Sequence, residues 1–218
     1  MNREELKKLV LQKKVVAIVR GIYGEDCIKL AEALYRGGIR LMEVTFDQSR
    51  PEAFCRTTDT LRALVEKLGD RMVFGAGTVT SVQLVSAAKN AGGSFIVSPD
   101  TKPEVIRRTV ELDMVSMPGA MTPTEIALAY ESGADFVKIF PAGTLGASYF
   151  KAVRGPFSQI PLLAVGGVNE VNASEYIAAG AVGVGVGGNL AKKAFVEAGE
   201  FDKIEETARL LVEAVGAN

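Results

Sequence analysis

Two charged side chains stand inside the most apolar stretches of this sequence. In LMEVTF, beginning at Leu41, alternation puts Met42, Val44 and Phe46 on one face and Leu41, Glu43 and Thr45 on the other. In FVKIF, beginning at Phe136, Val137 and Ile139 face one way and Phe136, Lys138 and Phe140 the other. If the all-apolar faces pack under helices, Glu43 and Lys138 both point into the space the strands enclose. Burial there pushes the lysine toward its neutral amine and the glutamate toward its neutral acid. A neutral amine attacks ketones: it forms a carbinolamine, loses water, and yields an iminium that accepts electrons from an adjacent breaking C–C bond. The competing reading is a buried Glu43–Lys138 ion pair that serves only structure.

The chain contains no histidine. That removes Ser-His-Asp and Cys-His constellations, a histidine general base and histidine-ligated metal sites, and leaves lysine, carboxylates, hydroxyls and backbone amides. Other polar groups fall where strands should end. Arg20 closes VVAIVR and has the planar fork that holds a carboxylate. Thr78 follows Gly75-Ala76-Gly77, and Ser98-Pro99 ends FIVSP, although residues of these types also serve as ordinary caps and turns. Gly166-Gly167-Val168-Asn169 and Gly187-Gly188-Asn189 follow the last two apolar runs, the second expected to open a helix. Glycine at such loops lets backbone N–H groups close on phosphate oxygens, with tight packing as the alternative use.

The elements that would hold these groups repeat. Eight short runs rich in Val, Ile and Phe begin at Val15, Leu41, Met72, Phe95, Met114, Phe136, Leu162 and Val182, each followed by a helical pattern that ends near glycine. At about 27 residues per unit the chain predicts a single α/β domain over residues 1–218, a compact (β/α)8 TIM barrel with an extra N-terminal helix from about Arg3 to Gln12. A C-terminal helix carries Phe201, Ile204, Ala208, Leu211 and Val215 at helical spacing. Thr122-Pro123-Thr124-Glu125 reads as a capping box, and Thr80 with Gln83 as a second one. Stops fall at Gly37-Gly38, Gly69, Gly92-Gly93, Gly133 and Gly180. A doubly wound open sheet is the competing architecture, because βα alternation does not by itself close a sheet.

With 25 basic and 26 acidic side chains there is no extended basic surface for nucleic acid. The N-terminus, charged from its second residue, lacks the apolar core of a signal peptide, and no run approaches the roughly 18 apolar residues of a membrane span. A cytoplasmic protein without a membrane partner is expected. Cys27 and Cys55 have no metal-ligand spacing and read as two small buried hydrophobes.

Several ordered pieces together resemble the family of 2-keto-3-deoxy-6-phosphogluconate (KDPG) and 4-hydroxy-2-oxoglutarate (KHG) aldolases: GGIRLMEVTF, GAGTVTS, FIVSPD, MPGAMTPTE, DFVKIFPA, GPFSQIP and AVGGVN, running from about Val15 to the last helix. The resemblance implies a class I aldolase that releases pyruvate from a 4-hydroxy-2-oxo acid, with no cofactor, no metal and a homotrimeric assembly. It makes Lys138 the Schiff-base lysine and Glu43 the proton shuttle. Thr78, Pro99 and Phe140 would line the pyruvate pocket, and Gly166, Gly167 and Gly188 would contribute to a phosphate cradle.

The chain also departs from that pattern. Asp47 stands where many members carry an arginine for the pyruvate carboxylate, a task a carboxylate cannot perform, and Arg20 is the expected replacement. Asn189 stands where a phosphate-binding serine is common, and Val165 where a threonine is common, so a different 2-keto-3-deoxy acid is also a candidate substrate. Two rival readings remain: a cofactor-free isomerase or epimerase in which Lys138 only holds an anion, and a non-catalytic ligand-binding barrel.

Overall fold

The computed structural model describes residues 1–49 and 53–217. Its strands are β1 (Val15–Val19), β2 (Leu41–Thr45), β3 (Val73–Gly77), β4 (Phe95–Val97), β5 (Val115–Met117), β6 (Gly119–Ala120), β7 (Val137–Ile139), β8 (Leu162–Val165) and β9 (Gly183–Val186). The helices are α1 (Arg3–Lys13), α2 (Gly24–Arg36), α3 (Ala53–Leu68), α4 (Val82–Asn90), α5 (Pro103–Glu111), α6 (Pro123–Glu131), α7 (Ala142–Leu145), α8 (Ala147–Arg154), α9 (Ala173–Ala178), α10 (Lys193–Glu197) and α11 (Phe201–Ala214).

All strand pairs are parallel, in the order β5-β4-β3-β2-β1-β9-β8-β7-β6. First and last strands pair directly, Val15 beside Val184 and Ala17 beside Val186, so the sheet is a nearly closed barrel and not a doubly wound one. Its two free edges, β5 and β6, are one chain segment interrupted at Pro118. Proline has no N–H to give to a ladder, so the fifth apolar run is two strands rather than the single one its composition suggests. The Pro118 carbonyl still accepts from the Lys138 N–H at 2.8 Å.

Side chains sort into two layers. Met42, Val44, Phe46, Val137 and Ile139 belong to the layer between strands and helices, whereas Leu41 and Phe136 belong to a separate cluster inside the barrel, with Val16, Phe95, Val97, Val115, Met117, Leu163 and Val165. Leu6 and Val10 of α1 join that inner cluster, so the N-terminal helix packs onto one end of the barrel. It is anchored there by Arg3, 2.9 Å from the buried Asp135, which also accepts from the Ser116 N–H.

The box at Thr122 is present, its hydroxyl accepting from the Glu125 N–H while Glu125 accepts from the Thr122 N–H. At α4 the cap is Ser81, accepting from the Leu84 N–H, and not Thr80. Thr80 is engaged elsewhere: its hydroxyl accepts from Gln48 Nε2 and its carbonyl from Lys102 Nζ. Gly38, Gly92, Gly133 and Gly180 take left-handed conformations after their helices, whereas Gly37, Gly69 and Gly93 do not. Cys27 is buried as expected, but Cys55 is exposed on α3. No described helix is long and apolar enough to cross a membrane.

Candidate active site

Strand parity places Glu43 and Lys138 inside the barrel, and both are buried, with 3% and 7% of their surface exposed. Beneath them lies the apolar inner layer, where Val16, Val97, Met117 and Leu163 line a small internal space together with both residues. Above them opens a cavity of about 440 Å³ at the C-terminal ends of the strands. Its wall contains all ten residues singled out from the sequence: Arg20 after β1, Glu43 in β2, Thr78 after β3, Pro99 after β4, Lys138 and Phe140 in and after β7, Gly166 and Gly167 after β8, and Gly188 and Asn189 after β9. They lie up to 169 positions apart in the chain, and barrel closure brings them together.

Burial dominates the electrostatics of the pair. It raises Glu43 to about 7, against the opposing pull of Lys138 and Arg20. It lowers Lys138 below the ordinary lysine range, reinforced by Arg20 and opposed by Glu43 and Asp100. Glu43 Oε2 is buried without a hydrogen-bond partner, and among the described residues no ion pair joins it to Lys138. A structural ion pair would show direct contact and satisfied oxygens; here burial shifts both groups toward their neutral forms, the state in which an amine is nucleophilic and a carboxyl donates a proton. Phe140 covers the amine from one side, with Lys138 Nζ 5.1 Å from its ring centroid. Phe136 lies in the inner core and not on the cavity.

At one end of the cavity Arg20 Nη2 donates to Thr78 Oγ1 at 2.9 Å. Thr78 has φ of +57°, a costly conformation for a β-branched residue. Asp47 does not line the cavity; its carboxylate accepts from the N–H and hydroxyl of Ser49. Among the described residues, the only guanidinium on the wall is that of Arg20.

The two glycine loops also line the cavity. Gly166 O accepts from the Gly143 N–H at 2.7 Å and Gly167 O from Asn172 Nδ2 at 3.0 Å, so both carbonyls are committed. Among the described residues, none of Gly166, Gly167, Gly188 or Asn189 donates its backbone N–H to a backbone acceptor, and such unused amides are what an anion cradle needs. Gly188 and Asn189 lie in a turn rather than opening a helix, since α10 begins only at Lys193.

Sequence reading missed one close neighbour of the acid. A side chain at Gly77 would meet Glu43 Oε1 at 2.5 Å, so the carboxylate occupies the room that a missing Cβ leaves. The signal was present in GAGTV, a glycine at the end of a strand adjacent to the one carrying Glu43.

Residues 6–207 match the family model described as KDPG and KHG aldolase. The chain is similar to the 2-dehydro-3-deoxy-6-phosphogalactonate aldolase of Escherichia coli K12, with 36% identity over 177 residues, 81% of this chain and 83% of that protein. It is similar to the KHG/KDPG aldolase of the same organism, with 33% identity over 191 residues, 87% of this chain and 86% of that one. Its backbone matches, with a TM-score of 0.83, a KDPG aldolase of Legionella pneumophila holding pyruvate as a covalent carbinolamine intermediate; the two are 27% identical, and the match covers 94% of this chain and 97% of the other.

Proposed function

The chain belongs to the KDPG and KHG aldolase family, and from that premise we propose that Lys138 is the amine that carries its reaction and Glu43 the acid that moves its protons. The protein is a class I aldolase, a lyase that reversibly cleaves KDPG or a related 4-hydroxy-2-oxo acid to pyruvate and an aldehyde.

The neutral Lys138 amine adds to the C2 ketone, and the resulting carbinolamine hydroxyl leaves as water with a proton from Glu43. The carboxylate so formed takes the proton from the C4 hydroxyl. The C3–C4 electron pair moves into the iminium, the aldehyde departs and an enamine remains on Lys138. Protonation at C3 and addition of water to C2 then release pyruvate and regenerate the amine. Arg20, with Thr78 beside it, takes the pyruvate carboxylate in place of the arginine replaced by Asp47. Pro99 and Phe140 flank the pyruvate carbons. Gly166, Gly167, Gly188 and Asn189 offer amides to the distal phosphate of KDPG or a related phosphorylated acid.

The observation that carries this assignment is a lysine and a glutamate buried together on an apolar floor, both shifted toward neutrality, at the base of an open cavity. Borohydride reduction in the presence of pyruvate tests it: a stable adduct at Lys138, absent from Lys138→Met, is expected. An adduct elsewhere, or pyruvate release by Lys138→Met equal to that of the parent, refutes it. Kinetics with gluconate- and galactonate-derived 2-keto-3-deoxy acids, each with and without phosphate, identify the substrate; a preference for the unphosphorylated acids removes the cradle's assigned role. The family resemblance also supports a homotrimer of single-domain subunits, residues 1–218 each, in the cytoplasm. Analytical ultracentrifugation decides the first, and a monomer would refute it.

A further inference from the structure

Resting on the reading just given, we propose that Gln48 is a positioning residue for the carboxylate end of the site, acting through Thr78 and Arg20 without touching substrate. Residues 78–80 form the short strap between β3 and α4, and its three carbonyls are each capped by a side chain from another part of the chain. Gln48 Nε2 donates to Thr78 O at 3.0 Å, Ser98 Oγ to Val79 O at 2.7 Å, and Lys102 Nζ to Thr80 O at 3.1 Å. Gln48 Nε2 also donates to Thr80 Oγ1 at 2.6 Å, so one amide group grips the strap at two residues, one of which lines the cavity.

The strap needs such a grip. Thr78 is left-handed at φ +57°, a conformation that persists only where its surroundings impose it. If its carbonyl were released, the peptide could rotate toward an extended geometry, and the Thr78 hydroxyl would swing with it. That hydroxyl is the acceptor that fixes Arg20 Nη2, so the guanidinium would lose its orientation toward the cavity. Gln48 is exposed and sits outside the barrel core, so its removal leaves the packed interior unchanged. It lies next to Asp47, the position at which the family's arginine is missing. In this chain the loop after β2 therefore contributes to carboxylate binding indirectly, by holding the neighbouring strap, rather than by supplying a charge.

Gln48→Met keeps the length and apolar stem of the side chain and removes its donors. The expected result is a KM for the keto acid raised about two- to tenfold, the range for loss of one neutral hydrogen bond, with kcat within twofold, an unchanged Tm and an unchanged pH profile of kcat. In an Arg20→Ala background the same substitution should add nothing, because the group it orients is gone. An unchanged KM in Gln48→Met, or full additivity with Arg20→Ala, overturns the proposal. Failure of the aldolase reading itself would appear separately, as absence of pyruvate release from the parent protein.

Discussion

A single methyl group at Gly77 should disable the site while leaving the barrel folded. Gly77 lies in extended strand β3, paired with Thr45 and Val97, so alanine suits its backbone and the only conflict is space. The added Cβ would stand 2.5 Å from Glu43 Oε1, 2.7 Å from its Cδ and 2.9 Å from Thr45 Cγ2, where ordinary contact begins at 3.4 Å. The nearest atoms it would meet all belong to the side chains of Glu43 and Thr45, so these have to give way, the carboxylate by about 0.9 Å. A displacement of about 1 Å at a reacting group costs on the order of 100-fold in rate, whereas overpacking one methyl costs about 1 to 3 kcal/mol of stability, roughly 2 to 12 °C in Tm for a chain of this size. Gly77→Ala is therefore expected to keep a cooperative thermal transition, to lose kcat on the order of 100-fold in pyruvate release, and to slow borohydride-trapped adduct formation in parallel. A folded Gly77→Ala protein with kcat within threefold of the parent would show that the carboxylate's place over β3 is irrelevant to the chemistry.

Three further outcomes follow from the geometry. Because burial raises Glu43 from 4.5 to about 7, the folded chain keeps a proton that the unfolded chain releases, so this group's contribution to stability is full below pH 4.5 and is lost as pH rises through about 7. The parent should thus lose stability relative to Glu43→Gln across that window, by on the order of 3 kcal/mol in urea unfolding, and a pH-independent difference would refute the shift. Arg20→Ala should raise KM for pyruvate-bearing substrates on the order of 10- to 100-fold, with Arg20→Lys failing to restore it for want of a planar fork; an unchanged KM excludes Arg20 as the carboxylate clamp. Thr122→Ala removes the cap of α6 and should cost about 1 kcal/mol in thermal unfolding with kcat unaltered, and an unchanged Tm would show that the capping box contributes nothing.

What could be read from the sequence was whatever depended on near neighbours. Period-two alternation placed Glu43 and Lys138 inside because both neighbours of each on the chain are apolar and belong under helices, and the two separate core clusters agree with that sorting. The fifth apolar run split because Pro118, visible in the sequence, withholds a ladder donor. The cap of α4 shifted from Thr80 to Ser81 for a reason no local pattern carries: Thr80's hydroxyl is taken by Gln48, 32 positions away. Gly77 and Gln48 escaped notice on the same ground. Their importance lies in contacts with a neighbouring strand or the loop that follows it, set by strand register, which composition does not encode. Cys55 was misplaced because a lone small residue on an amphipathic helix carries little information about which face it occupies.

In the proposed assignment the chemistry depends on a balance between two opposing effects on the same pair. Burial drives Glu43 and Lys138 toward their neutral forms, and their mutual attraction drives both toward charge; burial is the larger cause for each. Direct contact would strengthen the attraction steeply, since Coulomb energy grows as separation shrinks in a medium of low polarity, and the amine would then be held as ammonium, unable to attack a ketone. The barrel avoids this by giving the carboxylate a place over Gly77 on β3, while Lys138 enters from β7, far from β3 in the strand order. A carboxylate displaced from that slot leaves β3 for the interior it shares with Lys138. The residual activity of Gly77→Ala should therefore show the acid limb of its kcat/KM profile at higher pH than in the parent, since a closer carboxylate stabilises the ammonium; a limb that stays in place, or moves to lower pH, would separate the position of the acid from the ionisation of the amine.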